Sequence, residues 1–313
     1  MAHVVIAGAG RIGQALAHRL VAAGHEVRGV VAAGPLPAGG ERLSWRQADL
    51  TAIPEAEVAL AGARVVVMLA QARRNPAKLT RASRDDLDRL LADSVARAAR
   101  RVGAERLITF ACGDADVRPA LLAASGAPVA VLRGGGPDPV AHLAAMVDGA
   151  EPPPVEAWTG EPPPAGPRSE LRTCSVQRYA RPSGWAAFDV ARAYFEWLPS
   201  DVPGVRTEAR GDVFRIHGLG VEGLVLRHVP GRSEVDSAWL EVADGKLTVR
   251  SARPGRLEFR VLLDGVTVMA ALIGYQPAIP WLLYRASQAP MHERVMRRFG
   301  AFLAAKAGAP AAA

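Results

Sequence analysis

The sequence predicts an α/β fold, a doubly wound parallel sheet, followed by an α+β domain. Three observations carry this. Short apolar runs alternate with amphipathic helical stretches up to about residue 150, a glycine-rich turn closes the first run, and two-residue periodicity takes over after a proline-dense stretch. At 313 residues the chain has room for two domains, each with its own core.

In the first half, strands are expected at His3–Ala7, Glu26–Val31, Ser44–Gln47, Arg64–Leu69, Arg106–Ala111 and Val129–Arg133. Helices are expected near Ile12–Ala23, Pro54–Leu60, Arg84–Val102, Pro119–Ala124 and Val140–Val147. The domain is expected to occupy residues 1–150. Residues 151–168 contain seven prolines and two copies of Glu-Pro-Pro-Pro. Proline can neither donate to a ladder nor continue a helix, so this stretch reads as a linker or a surface loop. Residues 169–313 form the expected second domain. It starts with a strand at Thr173–Tyr179 and a helix at Ala186–Leu198. Seven strand-like segments follow: Val205–Ala209, Val213–His217, Leu224–Val229, Ala238–Val242, Lys246–Arg250, Leu257–Leu262 and Thr267–Tyr275. Turn dipeptides such as Asp244-Gly245 and Asp264-Gly265 punctuate them, and a helix over Pro280–Lys306, with a break at Pro290, closes the chain.

Composition excludes several function classes. The net charge of +7 is spread evenly, without a basic tail or an aromatic-interleaved stripe, which speaks against a nucleic-acid partner. No apolar run is long enough for a membrane span. The N-terminus enters a strand with no basic region ahead of it, so no signal peptide is expected. Cys112 and Cys174 form no CxxC, and His142, His217, His228 and His292 show no ligand spacing, so no metal site is expected and a reducing cytoplasm is the expected compartment.

The strongest motif is Gly8-Ala9-Gly10-Arg11-Ile12-Gly13 after the strand Val4–Ala7. In this strand–turn–helix context Gly8 permits the tight turn, Gly10 admits a pyrophosphate, and Gly13 lets the helix pack closely, while the helix N-terminus offers free N–H groups. The second strand ends Val30-Val31-Ala32-Ala33, without the acid that usually holds an NAD ribose. Arg11 either meets a 2′-phosphate or is a solvent-exposed residue at the helix start. NADP(H) is therefore favoured over NAD(H).

Further along, Asp49-Leu50 follows the third strand, Leu69-Ala70-Gln71 ends the fourth, and Val131-Leu132-Arg133-Gly134-Gly135 ends the sixth. With the first turn, these make residues 3–135 resemble the short-chain dehydrogenase/reductase superfamily in its extended and atypical, epimerase-like branches. The resemblance implies a Rossmann domain, adenine contacts from Asp49 and Leu50, and a nicotinamide side bordered by Leu69, Ala70 and Gln71. One departure is decisive. That superfamily uses a Tyr-x-x-x-Lys pair for proton transfer. Here Tyr179, Tyr194, Tyr275 and Tyr284 are followed four residues later by Ser183, Leu198, Ile279 and Gln288.

Chemistry by that dyad is excluded. Cys112 is either a functional thiol at a strand's carboxyl end or a small buried hydrophobe. Asp114 and Asp116 are acid/base candidates or solvated loop carboxylates. The segment from Leu257-Glu258-Phe259-Arg260 through Trp281 and Tyr284 to Pro290-Met291-His292 resembles a helix-grip (START-like) domain fused behind such dehydrogenase-like domains. That resemblance implies a cavity for a small apolar molecule. Trp281, Leu282, Tyr284, Met291, Val295 and Met296 are its candidate liners or plain core, and His292 is its candidate polar group. Two functions follow: an oxidoreductase or isomerase of atypical mechanism, or a non-catalytic sensor or carrier that binds a dinucleotide and a hydrophobic ligand.

Overall fold

The computed structural model describes residues 2–71, 77–111, 116–134, 138–153, 170–218 and 220–308. The chain divides into two compact units, residues 1–75 with 87–167, and residues 76–86 with 168–313.

The first unit is built on six parallel strands: β1 (His3–Ala7), β2 (Glu26–Val31), β3 (Leu43–Gln47), β4 (Val65–Met68), β6 (Arg106–Ala111) and β7 (Val129–Arg133). Their order is β3-β2-β1-β4-β6-β7, the doubly wound order with its switch point between β1 and β4. Helices α1 (Arg11–Ala22), α2 (Ile53–Leu60), α3 (Arg84–Arg101), α4 (Arg118–Ala123) and α5 (Pro139–Val147) make the connections and the closing layer.

Val4, Val5, Ile6 and Ala7 are all fully buried, so β1 reads as a continuous apolar run because both faces of the sheet are covered. One face packs Val4, Ile6, Val67, Ile108 and Phe110 against Leu16 and Leu20 of α1 and Leu143 and Met146 of α5. The end of α5 is tied to the α1–β2 turn. His25 Nδ1 accepts the Ala2 N–H (3.3 Å), which leaves Nε2 to donate to Asp148 Oδ1 (2.9 Å).

The second unit contains an eight-stranded sheet in the order β5-β8-β14-β13-β12-β11-β10-β9. Its strands are β5 (Ala77–Arg81), β8 (Glu170–Ala180), β9 (Val205–Arg210), β10 (Val213–Gly218), β11 (Val221–His228), β12 (Ser237–Asp244), β13 (Arg256–Val261) and β14 (Thr267–Tyr275). All neighbours are antiparallel except β5 and β8. Helices α6 (Ala187–Asp201), α7 (Trp281–Ala286) and α8 (Gln288–Ala307) complete it. One core joins Tyr194, Phe195 and Leu198 of α6, Phe259 of β13, and Met296, Phe299 and Leu303 of α8.

Three expectations need correction. Residues 77–81 were expected inside the first domain but form β5, an edge strand of the second sheet, with Leu79 opposite Thr173. The segment Ala-Lys-Leu-Thr-Arg is too short and polar to announce a strand, and its partner lies about ninety residues away in sequence. Lys246–Arg250 is not a strand; it makes a single isolated bridge, Thr248 with Pro277. The last helix breaks at Ser287 rather than at Pro290. Pro290 is the third residue of α8, where its missing N–H costs nothing. The 151–168 stretch falls, from residue 154 onward, outside the described residues.

α8 sits very close to β8. A Cβ added at Gly300 would lie 2.6 Å from the Tyr179 ring, and that ring cannot swing away because its hydroxyl donates to the Met296 carbonyl (2.8 Å). Gly300→Ala gains about 1 kcal/mol in helix propensity, but overpacking of this kind costs about 1–3 kcal/mol. We expect the clash to win, with a net loss of about 1 kcal/mol read as a lower urea midpoint at unchanged m-value.

Candidate functional site

The carboxyl ends of β1, β2 and β4 meet at the first turn. Gly8 has φ +122°, a conformation that side chains rarely adopt. A Cβ there would lie 2.4 Å from the Ala70 nitrogen, and a Cβ on Gly13 would lie 2.2 Å from the Gly8 carbonyl oxygen. The turn is pinned on both sides. Gly8 and Ala9 donate to the Val30 carbonyl (3.2 and 3.0 Å), and the Ala7 carbonyl accepts from Leu69 and Ala70 (2.8 and 2.7 Å). Gly10 is the N-cap of α1, no side chain caps this end, and no acid lies in its first turn. Its free N–H groups and positive dipole end therefore present an anion site. Arg11 is exposed beside them and Ile12 is half-buried.

The structure thus brings Gly8, Gly10, Arg11, Ile12 and Gly13 into one turn, against Leu69 and Ala70. Gln71 follows, half-buried. Asp49 and Leu50 follow β3 at the same carboxyl end of the parallel strands. Asp49 Oδ1 accepts from the Thr51 N–H (2.9 Å) and hydroxyl (2.6 Å), while Leu50 is buried. Cys112 and Asp114 lie outside the described residues, as does Gly135.

Sequence reasoning missed Arg118. This buried side chain donates to the Phe110 carbonyl (2.9 Å), the Ala70 carbonyl (3.3 Å) and Asp116 Oδ1 (2.9 Å). It therefore clamps the ends of β4 and β6 beside the turn. Asp116, read from sequence as an acid/base candidate or a solvated carboxylate, is instead a buried ion-pair partner. The signal was an Asp-x-Arg spacing just before Pro119 at a helix start.

The four tyrosines all belong to the second unit, and burial raises the pKa of each. A proton-transfer tyrosine needs the opposite shift. His292 is pushed down to about 4, first by burial and then by the Arg81 charge, so it is neutral at physiological pH. Of the expected cavity liners, Tyr284 and Met296 are core, and Trp281 and Val295 pack against it. Leu282 and Met291 face solvent, 76% and 54% exposed. α8 buries positions 289, 296, 299 and 303, a stripe that leaves 291 outside. Cys174 is buried. Among the described residues, no group of three or more His, Cys, Asp or Glu could hold a metal ion, and no helix is long and apolar enough to cross a membrane.

The first unit is a Rossmann-like α/β fold with an uncapped glycine turn at its switch point. Residues 7–126 match the family model described as NAD(P)H-binding. A curated relative, Auxiliary protein GraX of Staphylococcus aureus, is 23% identical over 261 residues, covering 82% of this chain and 78% of that protein. Two solved structures from Bordetella bronchiseptica are similar. The enzyme WbmH in complex with NAD+ shows 18% identity over 42% of this chain and 56% of its own, with a TM-score of 0.36. WbmG in complex with NAD shows 22% identity over 47% of this chain and 60% of its own, with a TM-score of 0.36. The chain thus spans less than two thirds of either structure.

Removing one partner of a buried pair leaves the other charge uncompensated, at a cost of about 3–5 kcal/mol. Arg118→Met is expected to lose stability of that order. It should also weaken dinucleotide binding measured well below its melting temperature, because the Ala70 turn loses its tie to β6.

Proposed function

We propose that this chain is a cytoplasmic NAD(P)(H)-dependent oxidoreductase or isomerase of atypical short-chain-dehydrogenase type, with NADP(H) preferred. The observation that carries the reading is the uncapped N-terminus of α1 behind Gly8 and Gly10, a cradle for a pyrophosphate. The bound dinucleotide would rest on Gly8, Gly10 and Gly13, with adenine toward Asp49 and Leu50 and nicotinamide toward Leu69, Ala70 and Gln71. When bound, it supplies hydride chemistry. The chain's part is to orient it and, through Arg11, to meet a 2′-phosphate. Arg11 is exposed and has no ion pair among the described residues, and no acid stands at Val31–Ala33 to hold a bare ribose. The second unit is read as a helix-grip-like holder of a small apolar molecule.

A second reading, a dinucleotide-binding sensor or carrier without catalysis, is favoured by one observation: no tyrosine stands within the first 178 residues and the four that exist are hard to ionise. The curated relative's description as an auxiliary protein fits this reading too.

Calorimetry should give tighter binding of NADPH than NADH. Arg11→Ala should weaken NADPH roughly tenfold or more, the scale of one charge-assisted hydrogen bond, and leave NADH nearly unchanged. Equal wild-type dissociation constants would sink the NADP(H) preference, and no binding of either would sink the dinucleotide reading. The enzyme and sensor readings separate on NADPH fluorescence during incubation with ketones, enones and quinones. We expect substrate-dependent decay; a constant signal alongside tight binding selects the sensor.

A further inference from the structure

On the face of the second sheet that receives α8, the interior is polar in one place. Thr173, Ser175 and Gln177 of β8 are alternate residues and share the face on which Tyr179 meets α8. β5 lies alongside, with Arg81 opposite Ser175. α7 adds Tyr284 and α8 adds His292, and both feel the Arg81 charge, although burial dominates each and raises Tyr284 while lowering His292.

Four polar atoms here are buried without a hydrogen-bond partner: Arg81 Nε, Thr173 Oγ1, Gln177 Oε1 and His292 Nε2. Thr173 is only 2% exposed. Tyr284 is its neighbour: Thr173 opposes the rise that burial gives the Tyr284 pKa. Each orphaned group costs about 1–3 kcal/mol, and a whole native protein carries only a few. Of the nine such atoms among the described residues, these four share one sheet face and one helix pair.

Charge selects the ligand class. Arg81 is already paired with Glu293, and His292 is neutral at physiological pH. A further buried anion would therefore cost more desolvation than it recovers. The Arg81 Nε–H and the Thr173 and Tyr284 hydroxyls are donors suited to a single acceptor oxygen. Leu79, Leu272, Ile279 and Trp281 supply apolar surroundings. On α7, Tyr284 is buried and Trp281 packs against the same core, while Leu282 and Leu283 are 76% and 58% exposed.

We propose that the Arg81–Thr173–Tyr284–His292 cluster is the head-group site for an uncharged, carbonyl-bearing apolar molecule. This rests on the reading of the second unit as the holder of an apolar ligand, and it names that ligand's chemistry.

The test uses the full chain and Prodan, an apolar ketone whose fluorescence reports its surroundings. Saturable binding is expected. Thr173→Val, nearly the same shape without the hydroxyl, should weaken Prodan about tenfold without lowering the melting temperature, because it deletes an orphaned polar atom. Tyr284→Phe should also weaken it. A long-chain methyl ketone should displace Prodan, while the fatty carboxylate of equal length should not. NADPH titrations of the same variants should match wild type. Absence of Prodan binding, or an unchanged dissociation constant in both variants, overturns the site. Displacement by the carboxylate alone overturns the carbonyl assignment. Failure of NADPH to bind the wild type would remove the dinucleotide reading and leave the Prodan result standing.

Discussion

The backbone at Gly8 lies too close to its neighbours for any side chain, and the first unit is arranged around that closeness. Two amides of the turn donate to Val30 of β2, and the carbonyl just before it receives two amides from the end of β4. Gly13 then sets α1 against the turn itself. Three strand ends are tied together there by backbone hydrogen bonds. This leaves the N–H groups of α1 with neither side-chain cap nor acid, and so available to a bound anion. Arg118 extends the same logic to β6 by tying Phe110 and Ala70 through a single buried guanidinium.

The second unit is held mainly by apolar and aromatic packing. Tyr194 and Phe299 meet edge-on with ring centroids 5.1 Å apart, and Phe195 stacks on Phe214 at 4.5 Å. Such pairs add about 0.5–1.5 kcal/mol beyond the area they bury. A charged network occupies β13 as well. Glu258, 1% exposed, accepts from Ser237 Oγ (2.9 Å), Arg260 Nε (2.7 Å) and Arg256 Nε (3.3 Å). Desolvating three charges offsets much of their attraction, so the network's weight lies in what its loss would leave uncompensated. Arg256 also lies over the Trp239 ring at 4.5 Å, which favours one arrangement of that cation.

The two units divide the chemistry. The first offers a place for an anion-bearing dinucleotide and no ionisable tyrosine. The second holds every tyrosine, each made a weaker acid by burial, together with a neutral histidine and an arginine already paired. Any proton delivery must come from a group other than a tyrosine–lysine pair.

Much of this was legible in the residues. The strands at 3–7, 26–31, 106–111, 129–133 and 267–275 coincide with their expected bounds, because apolar runs and turn residues act locally. The glycine turn was legible for the same reason: its steric demand is written in three glycines and the strand before them. Tertiary structure alone decided that Ala77–Arg81 is a strand of the other sheet, since an edge supplies the partner that its own composition does not advertise. It alone decided that Leu282 and Met291 point outward while Tyr284 and Met296 point in, because helix phase is fixed by what the helix packs on. It also decided that Arg81, Thr173 and His292, more than two hundred residues apart at the extremes, belong to one polar cluster. Sequence spacing sets which faces side chains share within an element, but only packing brings faces from distant elements together.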